Sequence, residues 1–152
     1  MAIQTSWSDV TTDAPDFAAR VAAAFSAGTN KTLATIRADG SPRISGTEVE
    51  FVDGRVTLGM MPKSRKLADV GRDPRIAIHS PTLEPSAEGT LDDGDAKVAG
   101  VLVEFPDPTN PTGTSFELDL TEVVLTTVDQ ARGLLVIESW HPGRGYERTE
   151  RE

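Results

Sequence analysis

The stretch MMPKSRKLADVGRDPR, at residues 60–75, is the part of the sequence around which the rest of the chain is organised. Pro62 and Ser64 are typical of the start of a short helix, and Gly71 followed by Asp73-Pro74 is typical of its end. The residues before this helix alternate in the manner of strands, and so do most of those after it. The stretch therefore predicts a short helix inserted between strands of a sheet.

The start of this predicted helix carries a concentration of positive charge. A helix start offers free backbone N–H groups and the positive end of the helix dipole, so cations are normally unfavourable there. A hydroxyl and several cations around such a start are what a phosphate group binds. The pattern indicates a phosphate site, with a solvated basic turn as the alternative. The candidate residues are Lys63, Ser64, Arg65 and Lys66.

Composition narrows the classes of protein to consider. The chain of 152 residues suits a single domain, residues 1–152, with one sizeable core. Its net charge of −9 argues against general nucleic-acid binding. Residues 31–75 nevertheless carry nine Lys/Arg against six Asp/Glu, which suits a small anionic ligand. The absence of cysteine excludes disulfides. No apolar run is long enough to span a membrane and no signal pattern opens the chain, so a cytoplasmic protein is expected.

The N-terminal region is predicted to contain one clear helix. Residues 1–12 are expected to form an arm or a first short element. Phe17, Val21 and Phe25 recur every four residues and mark the buried stripe of an amphipathic helix. Asp13 is expected to cap this helix, which would end near residue 28.

The remainder predicts an antiparallel sheet. Tight turns at Asp39-Gly40 and Asp53-Gly54 predict a three-stranded meander over residues 31–60, with residues 42–51 as its second strand. Further strands are predicted over residues 75–79, 97–105, 115–128 and 133–140. Residues 80–95 form a long acidic loop, in which Asp92, Asp93 and Asp95 match a calcium loop incompletely, and residues 141–152 form a charged tail. The fold class is mainly β, a small closed or partly open barrel of about seven strands with a few short helices.

A second stretch, WHPGRG at residues 140–145, also has the composition of a binding site. Its indole, guanidinium and glycines would let an aromatic face and a cation approach a flat ligand closely. The alternative is a chain terminus that packs Trp140 on the barrel. Met60 and Met61 would add polarizable apolar surface beside the basic turn. A flat heterocycle carrying a phosphate would fit a groove between these two places.

The order of the motifs resembles the pyridoxamine 5′-phosphate oxidase-like, FMN-binding split-barrel family. That family has an Asp-Gly hairpin followed by Pro, a second Asp-Gly turn, Ser-Arg-Lys on a short helix, and Asp-Pro-Arg before a strand. The final WHPGRG resembles small members of the flavin/deazaflavin oxidoreductase branch, and the resemblance covers about residues 30–146. The matching motifs are Asp39-Gly40 with Pro42, Asp53-Gly54, Ser64-Arg65-Lys66 and Asp73-Pro74-Arg75.

The resemblance implies a six- to seven-stranded split β-barrel that forms a homodimer, with two equivalent cofactor grooves at the interface. It implies FMN, or alternatively the deazaflavin coenzyme F420, as the cofactor. The turn with Ser64, Arg65 and Lys66, next to Lys63, would hold the phosphate. The ring would lie beside the end of the preceding strand, and a C-terminal pair would complete the site. The implied ring-binding residues are Gly59, Met60 and Met61, and the C-terminal pair is Trp140 and Arg144.

The expected function is that of a flavin-type oxidoreductase acting on a small organic substrate, with an activated alkene, imine or quinone as hydride acceptor. The sequence identifies no catalytic acid and no metal ligand. The chain lacks the full C-terminal substrate pattern of the vitamin B6 oxidase, so that activity is not expected. The alternative is a non-catalytic flavin-binding or heme/tetrapyrrole-binding protein on the same fold. A third possibility is an unliganded dimer with an interaction role. No nucleic-acid or membrane partner is expected.

Overall fold

The computed structural model describes residues 2–82 and 94–152. Within these residues the chain forms three helices and nine strands. None of the three helices is long and apolar enough to cross a membrane. The helices are α1 (Trp7–Asp13), α2 (Pro15–Ser26) and α3 (Arg65–Arg72). The strands are β1 (Lys31–Ile36), β2 (Pro42–Thr47), β3 (Glu50–Val52), β4 (Arg55–Met60), β5 (Arg75–His79), β6 (Asp95–Phe105), β7 (Thr114–Asp129), β8 (Leu134–His141) and β9 (Gly145–Arg151).

The strands form one antiparallel sheet that curls on itself. Its main order is β2-β1-β5-β6-β7-β4-β3. The strands at the two ends of this order, β2 and β3, are separated in sequence only by Glu48 and Val49. Because the chain itself joins the two edges, the sheet has to close toward a barrel. The mainly β, antiparallel fold predicted from the sequence is confirmed.

Strand β7 is where the barrel divides. One edge of β7 pairs with β6 over most of its length. The other edge is shared, because β4 pairs with residues 114–117 and β8 pairs with residues 123–129. Between these two stretches, the backbone N–H of Leu120 donates to the carbonyl oxygen of Thr5 at 3.0 Å. One branch of the sheet therefore leads to β4 and β3, and the other leads to β8 and β9.

Helix α2 packs its apolar stripe into the core. Phe17, Val21 and Phe25 are almost fully buried, as the four-residue period predicted. Burying one such side chain stabilises a fold by about 1.5–3 kcal/mol. The predicted cap is wrong, because α2 begins after Ala14 with a proline at its first position. Asp13 instead ends α1, and its carboxylate is a hydrogen-bond acceptor elsewhere in the fold.

The predicted meander over residues 31–60 is also wrong. Residues 42–51 break into β2 and β3, and these strands belong to two separate hairpins at opposite ends of the sheet order. Thr47 and Val49 are buried while Glu48 and Glu50 are exposed. The alternation of buried and exposed residues therefore continues through the corner, and for this reason periodicity could not reveal it.

Both ends of the described chain carry regular secondary structure. The N-terminal segment contains the short helix α1, which buries Trp7 and Val10 and is the second of the two forms expected for residues 1–12. The charged tail forms a ninth strand, β9, paired with β8 along its length. This raises the strand number above the predicted six or seven. Residues 83–93 of the predicted acidic loop, with Asp92 and Asp93 of its calcium-like pattern, lie outside the described residues.

Candidate functional site

The basic turn, residues 63–66, leads into helix α3, and the helix begins where the sequence predicted. Ser64 is the N-cap of α3, and its hydroxyl oxygen accepts a hydrogen bond from the backbone N–H of Leu67 at 3.3 Å. The hydroxyl hydrogen of Ser64 remains available as a donor. Lys63 has a φ angle of 62°, in the left-handed region that non-glycine residues seldom adopt. Residues in this region cost free energy to hold and cluster at functional sites of proteins.

The positive charges of the basic turn are not balanced by an acidic residue at the start of α3. The first turn of α3 contains no acidic residue. Lys66 donates one hydrogen bond to the carbonyl oxygen of Gly46 on β2, at 2.8 Å, and keeps two further N–H donors. Lys63 and Arg65 are exposed, and within residues 2–82 and 94–152 their side chains have no hydrogen bond or ion pair. The lysine and arginine side chains of the turn thus offer hydrogen-bond donors and positive charge.

A buried carboxylate fixes α3 on the sheet. Asp69 is fully buried and accepts hydrogen bonds from Arg43 at 2.6 Å, Thr35 at 2.8 Å and Arg72 at 2.9 Å. Hydrogen bonding from Arg43 holds the pKa of the Asp69 carboxyl below its usual value, although burial acts in the opposite direction. Because Thr35 lies on β1 and Arg43 on β2, the basic turn is held at a fixed position relative to this hairpin.

A groove runs along the end of β4 as far as Pro62, the residue that precedes the basic turn. Its part nearest the turn is a cavity of about 390 Å³ that includes Met60, Met61 and Pro62. A second cavity of about 220 Å³ continues it toward Phe105 and Glu50. The two cavities share four lining residues, so they form one groove. The shared residues are Glu48, Gly59, Thr109 and Asn110.

The loop between β6 and β7 forms one wall of this groove. Asp107 accepts hydrogen bonds from the hydroxyl and backbone N–H of Thr109 and from Ser115. These bonds, led by that from the Thr109 hydroxyl, lower the pKa of the Asp107 carboxyl, so it is ionised at neutral pH. Asn110 packs directly on Gly59, where a Cβ atom would lie 3.2 Å from the Asn110 Nδ2 atom. The absence of a side chain at Gly59 therefore makes room for Asn110.

Comparison with solved structures identifies the architecture. A pyridoxamine 5′-phosphate oxidase-related, FMN-binding protein from Nostoc punctiforme PCC 73102 matches with a TM-score of 0.64 at 12% identity, over 91% of this chain and 96% of the other. PhzG from Burkholderia lata 383, in complex with tetrahydrophenazine-1-carboxylic acid, matches with a TM-score of 0.62 at 12% identity, over 82% of each chain. An F420 reductase matches with a TM-score of 0.52 at 16% identity, over 65% of this chain and 91% of the other.

The chain has the pyridoxamine 5′-phosphate oxidase-like split-barrel fold. At these identities the likeness concerns the fold alone. A scan against protein-family models and a search of curated protein sequences found no match. The motif order over residues 39–75 had indicated this fold from the sequence, and the structure confirms it.

Three of the predicted site residues line the groove. These are Gly59, Met60 and Met61 at the end of β4. The basic turn follows directly after Pro62, and none of residues 63–66 is among the residues that line the two cavities. Met61 is 75% exposed, which leaves its thioether available to a ligand. Met60 is buried, so its side chain belongs to the core and only its backbone borders the groove. Lys63, Ser64, Arg65 and Lys66 form the turn itself.

The two predicted site residues near the C-terminus, Trp140 and Arg144, do not line the groove. Gly59 pairs with Ser115 and Trp140 pairs with Val123, eight positions further along β7, which is roughly 26 Å of strand. Trp140 is 4% exposed, and its indole N–H donates to Asp13 at 3.1 Å. Trp140 therefore packs on the barrel, the second of the two possibilities its sequence allowed. Arg144 lies exposed in the turn between β8 and β9.

Most residues that line the groove were missed from the sequence, and among them are three of the four that line both cavities, Glu48, Thr109 and Asn110. Residues 106–113 contain three prolines, an asparagine and a glycine, which indicates only a connecting loop. Nothing in the sequence places that loop against Gly59. The close packing of the β6–β7 loop against Gly59 is visible only in the structure.

Proposed function

We propose that this chain is a flavin-type oxidoreductase that binds FMN, or the deazaflavin coenzyme F420, in the groove between the basic turn and the β6–β7 loop. The observation that carries the proposal is the turn at residues 63–66, where a lysine in the left-handed region, a capping serine and two further cations adjoin a groove. A phosphate-bearing heterocycle has the charge and shape that this arrangement accepts. Solved structures with the same fold include an FMN-binding protein and an F420 reductase.

The residues have separate roles in this proposal. Lys63, Arg65 and the Ser64 hydroxyl would hold the phosphate, and Lys66 would add its remaining donors while it ties the turn to β2. The exposed thioether of Met61 and the backbone at Gly59 would border the ring. When bound, the cofactor supplies the hydride chemistry, and the protein supplies binding, orientation and exclusion of water. The substrate would be a small organic molecule that occupies the rest of the groove.

A homodimer is part of the proposal, and one face of the sheet supports it. Ala34 on β1, Ala77 on β5 and Ala99 on β6 lie opposite one another and form a row across three adjacent strands. The row continues to Ile44 on β2, which is 75% exposed. Such a row of small apolar side chains lets a second flat surface approach closely.

A non-catalytic binding protein is the second candidate, and one observation favours it. The pKa of Asp107, a carboxyl group that lines the groove, is lowered by its hydrogen bonds, first of all by that from the Thr109 hydroxyl. A general acid needs a pKa near the working pH, so Asp107 is unsuited to that role. Tight binding of FMN, F420 or hemin without turnover across a panel of hydride acceptors would favour this candidate over the enzyme.

The test is a comparison of FMN with riboflavin, which lacks the phosphate. Arg65→Ala should weaken FMN binding about tenfold or more, because a hydrogen bond to a charged group contributes about 1.5–3 kcal/mol. Riboflavin binding should not change. Arg151→Ala, at an exposed arginine on β9, is the matched control and should leave both affinities unchanged. If Arg65→Ala affects neither ligand, the turn does not hold the phosphate.

A further inference from the structure

Asn110 occupies the junction of the two cavities that form the groove. It is one of the four residues that line both of them. Its side chain is packed between two glycines, because a Cβ atom at Gly59 would lie 3.2 Å from its Nδ2 atom and one at Gly113 would lie 2.6 Å from its Oδ1 atom. Any ligand that lies along the groove must therefore pass the Asn110 amide.

The orientation of this amide is fixed by its neighbours. Ser115 gives its single hydroxyl hydrogen to the Asp107 carboxylate at 2.9 Å, so toward Asn110 the Ser115 oxygen can only accept. The Asn110 Nδ2 atom donates to that oxygen at 3.0 Å. On the other side, the backbone N–H of Gly113 requires an acceptor and finds the Asn110 Oδ1 atom at 3.2 Å. Both contacts demand the same assignment of nitrogen and oxygen.

These contacts use half of the hydrogen-bonding capacity of the amide. A carboxamide has two N–H donors and two oxygen lone pairs, and within the described residues each kind is used once. One donor and one acceptor remain on a residue whose position is fixed by the loop. A fixed amide of this kind pairs with a ligand edge that presents an adjacent carbonyl and N–H group, as asparagine does when it binds a base edge.

We propose that Asn110 is the residue that recognises the ring of the ligand, through an edge with adjacent carbonyl and N–H groups. The inference rests on the proposed function and deepens it, because the pyrimidine part of a flavin or deazaflavin ring has such an edge. The basic turn would select the phosphate, and Asn110 would select the heterocycle. Ligands that carry a phosphate but lack this edge would then bind weakly.

The experiment is a binding cycle with FMN and 3-methyl-FMN, in which the ring N–H is replaced by a methyl group. Fluorescence titration should give about tenfold weaker binding of 3-methyl-FMN than of FMN to the wild-type protein. Asn110→Ala should bind both ligands equally, with an affinity close to that of the wild type for 3-methyl-FMN. A purely structural role of Asn110 would weaken both ligands in parallel and preserve the ratio, which would overturn the inference.

Two controls separate the possible failures. Thr112→Ala, at another residue that lines the cavity near the turn, should preserve the wild-type discrimination. Ser115→Ala removes the support of the amide and should reduce the discrimination without abolishing it. If wild type binds FMN but does not discriminate, the inference fails and the proposed function stands. If wild type binds neither FMN nor F420, both fail. If only F420 binds, equal F420 affinities of Asn110→Ala and Thr112→Ala overturn the inference.

Discussion

Replacement of Lys63 by glycine should strengthen the fold and weaken cofactor binding at the same time. Lys63 has a φ angle of 62°, and the left-handed region costs an L-residue roughly 1–2 kcal/mol. Glycine avoids this cost but loses about 0.5–1 kcal/mol more backbone entropy on folding. The net gain in the free energy of unfolding should be about 0.5–1 kcal/mol, or about 1–4 °C in Tm for a chain of this length. Removal of the ammonium group should weaken FMN binding about 10- to 100-fold.

The two effects are measured separately. Thermal unfolding of the ligand-free protein gives the stability, and titrations with FMN and with riboflavin give the affinity of the phosphate. Lys63→Ala removes the charge but leaves a side chain in the left-handed region, so it should lose the same affinity without the gain in Tm. Asp53→Gly is the matched backbone control, because Asp53 has a φ angle of 52° in the turn between β3 and β4. It should raise Tm slightly and leave FMN binding unchanged.

Three results would refute this reasoning. An FMN affinity of Lys63→Gly within twofold of the wild type would mean that Lys63 does not contact the phosphate. An equal loss for riboflavin would mean that the substitution disturbs the groove rather than the charge. A lower Tm for Lys63→Gly than for Lys63→Ala would mean that the left-handed backbone at this position carries no strain.

Four further outcomes are expected. Asp69→Asn should lower the free energy of unfolding by about 3 kcal/mol in urea, because Arg43 loses a buried partner, while Asp73→Asn at an exposed pair should change it little. The pKa of Asp69 is depressed in the folded state. The ionised carboxylate therefore contributes fully to the free energy of unfolding above about pH 4, its unfolded pKa, and this contribution is lost as the pH falls further. Urea midpoints at pH 7, 5 and 3 should show the loss, and Asp69→Asn should show less of it. Trp140→Phe should cost about 1 kcal/mol of stability in urea through its lost bond to Asp13 but leave FMN affinity within twofold. Gly59→Ala should push Asn110 aside and weaken FMN binding several-fold in titrations, with little change in Tm.

The basic turn could be predicted because its signals are local. A proline and a capping serine before α3, and Asp73-Pro74 after it, specify the bounds of this helix, and the capping bond from Leu67 to Ser64 forms. The hairpin at Asp39-Gly40 is equally local. Features of this kind depend on neighbouring residues alone, so the sequence carries them completely.

The corner at Glu48 and Val49 and the strand β9 could not be predicted, for two different reasons. The corner keeps the alternation of buried and exposed residues, so it leaves no mark on the periodicity. Strand β9 has almost no buried side chains, and it is held by backbone bonds to β8 and by contacts such as that of Tyr146 with Glu138. A strand without an apolar face gives no period-two signal.

The contact of Asn110 with Gly59 in the groove could not be predicted either, because it joins distant parts of the chain. Asn110 and Gly59 are about fifty residues apart, and they meet only because β4 pairs with the start of β7. The same register separates Trp140 from the groove. The sequence predicted candidate residues for a flat anionic ligand, whereas the pairing along β7 determined which of them lie together.

The position of the site follows from how the sheet closes. The corner at Glu48 joins the two edges of the sheet, and Lys66 reaches from α3 to Gly46 just before that corner. Asp69 ties the same helix to β1 and β2 through Thr35 and Arg43. The basic turn is therefore fixed to one edge, β2, while Gly59 and Asn110 belong to the opposite branch through β4 and β7. A ligand bound by both would bridge the closure of the barrel, so its binding should stabilise the sheet as a whole and not the turn alone.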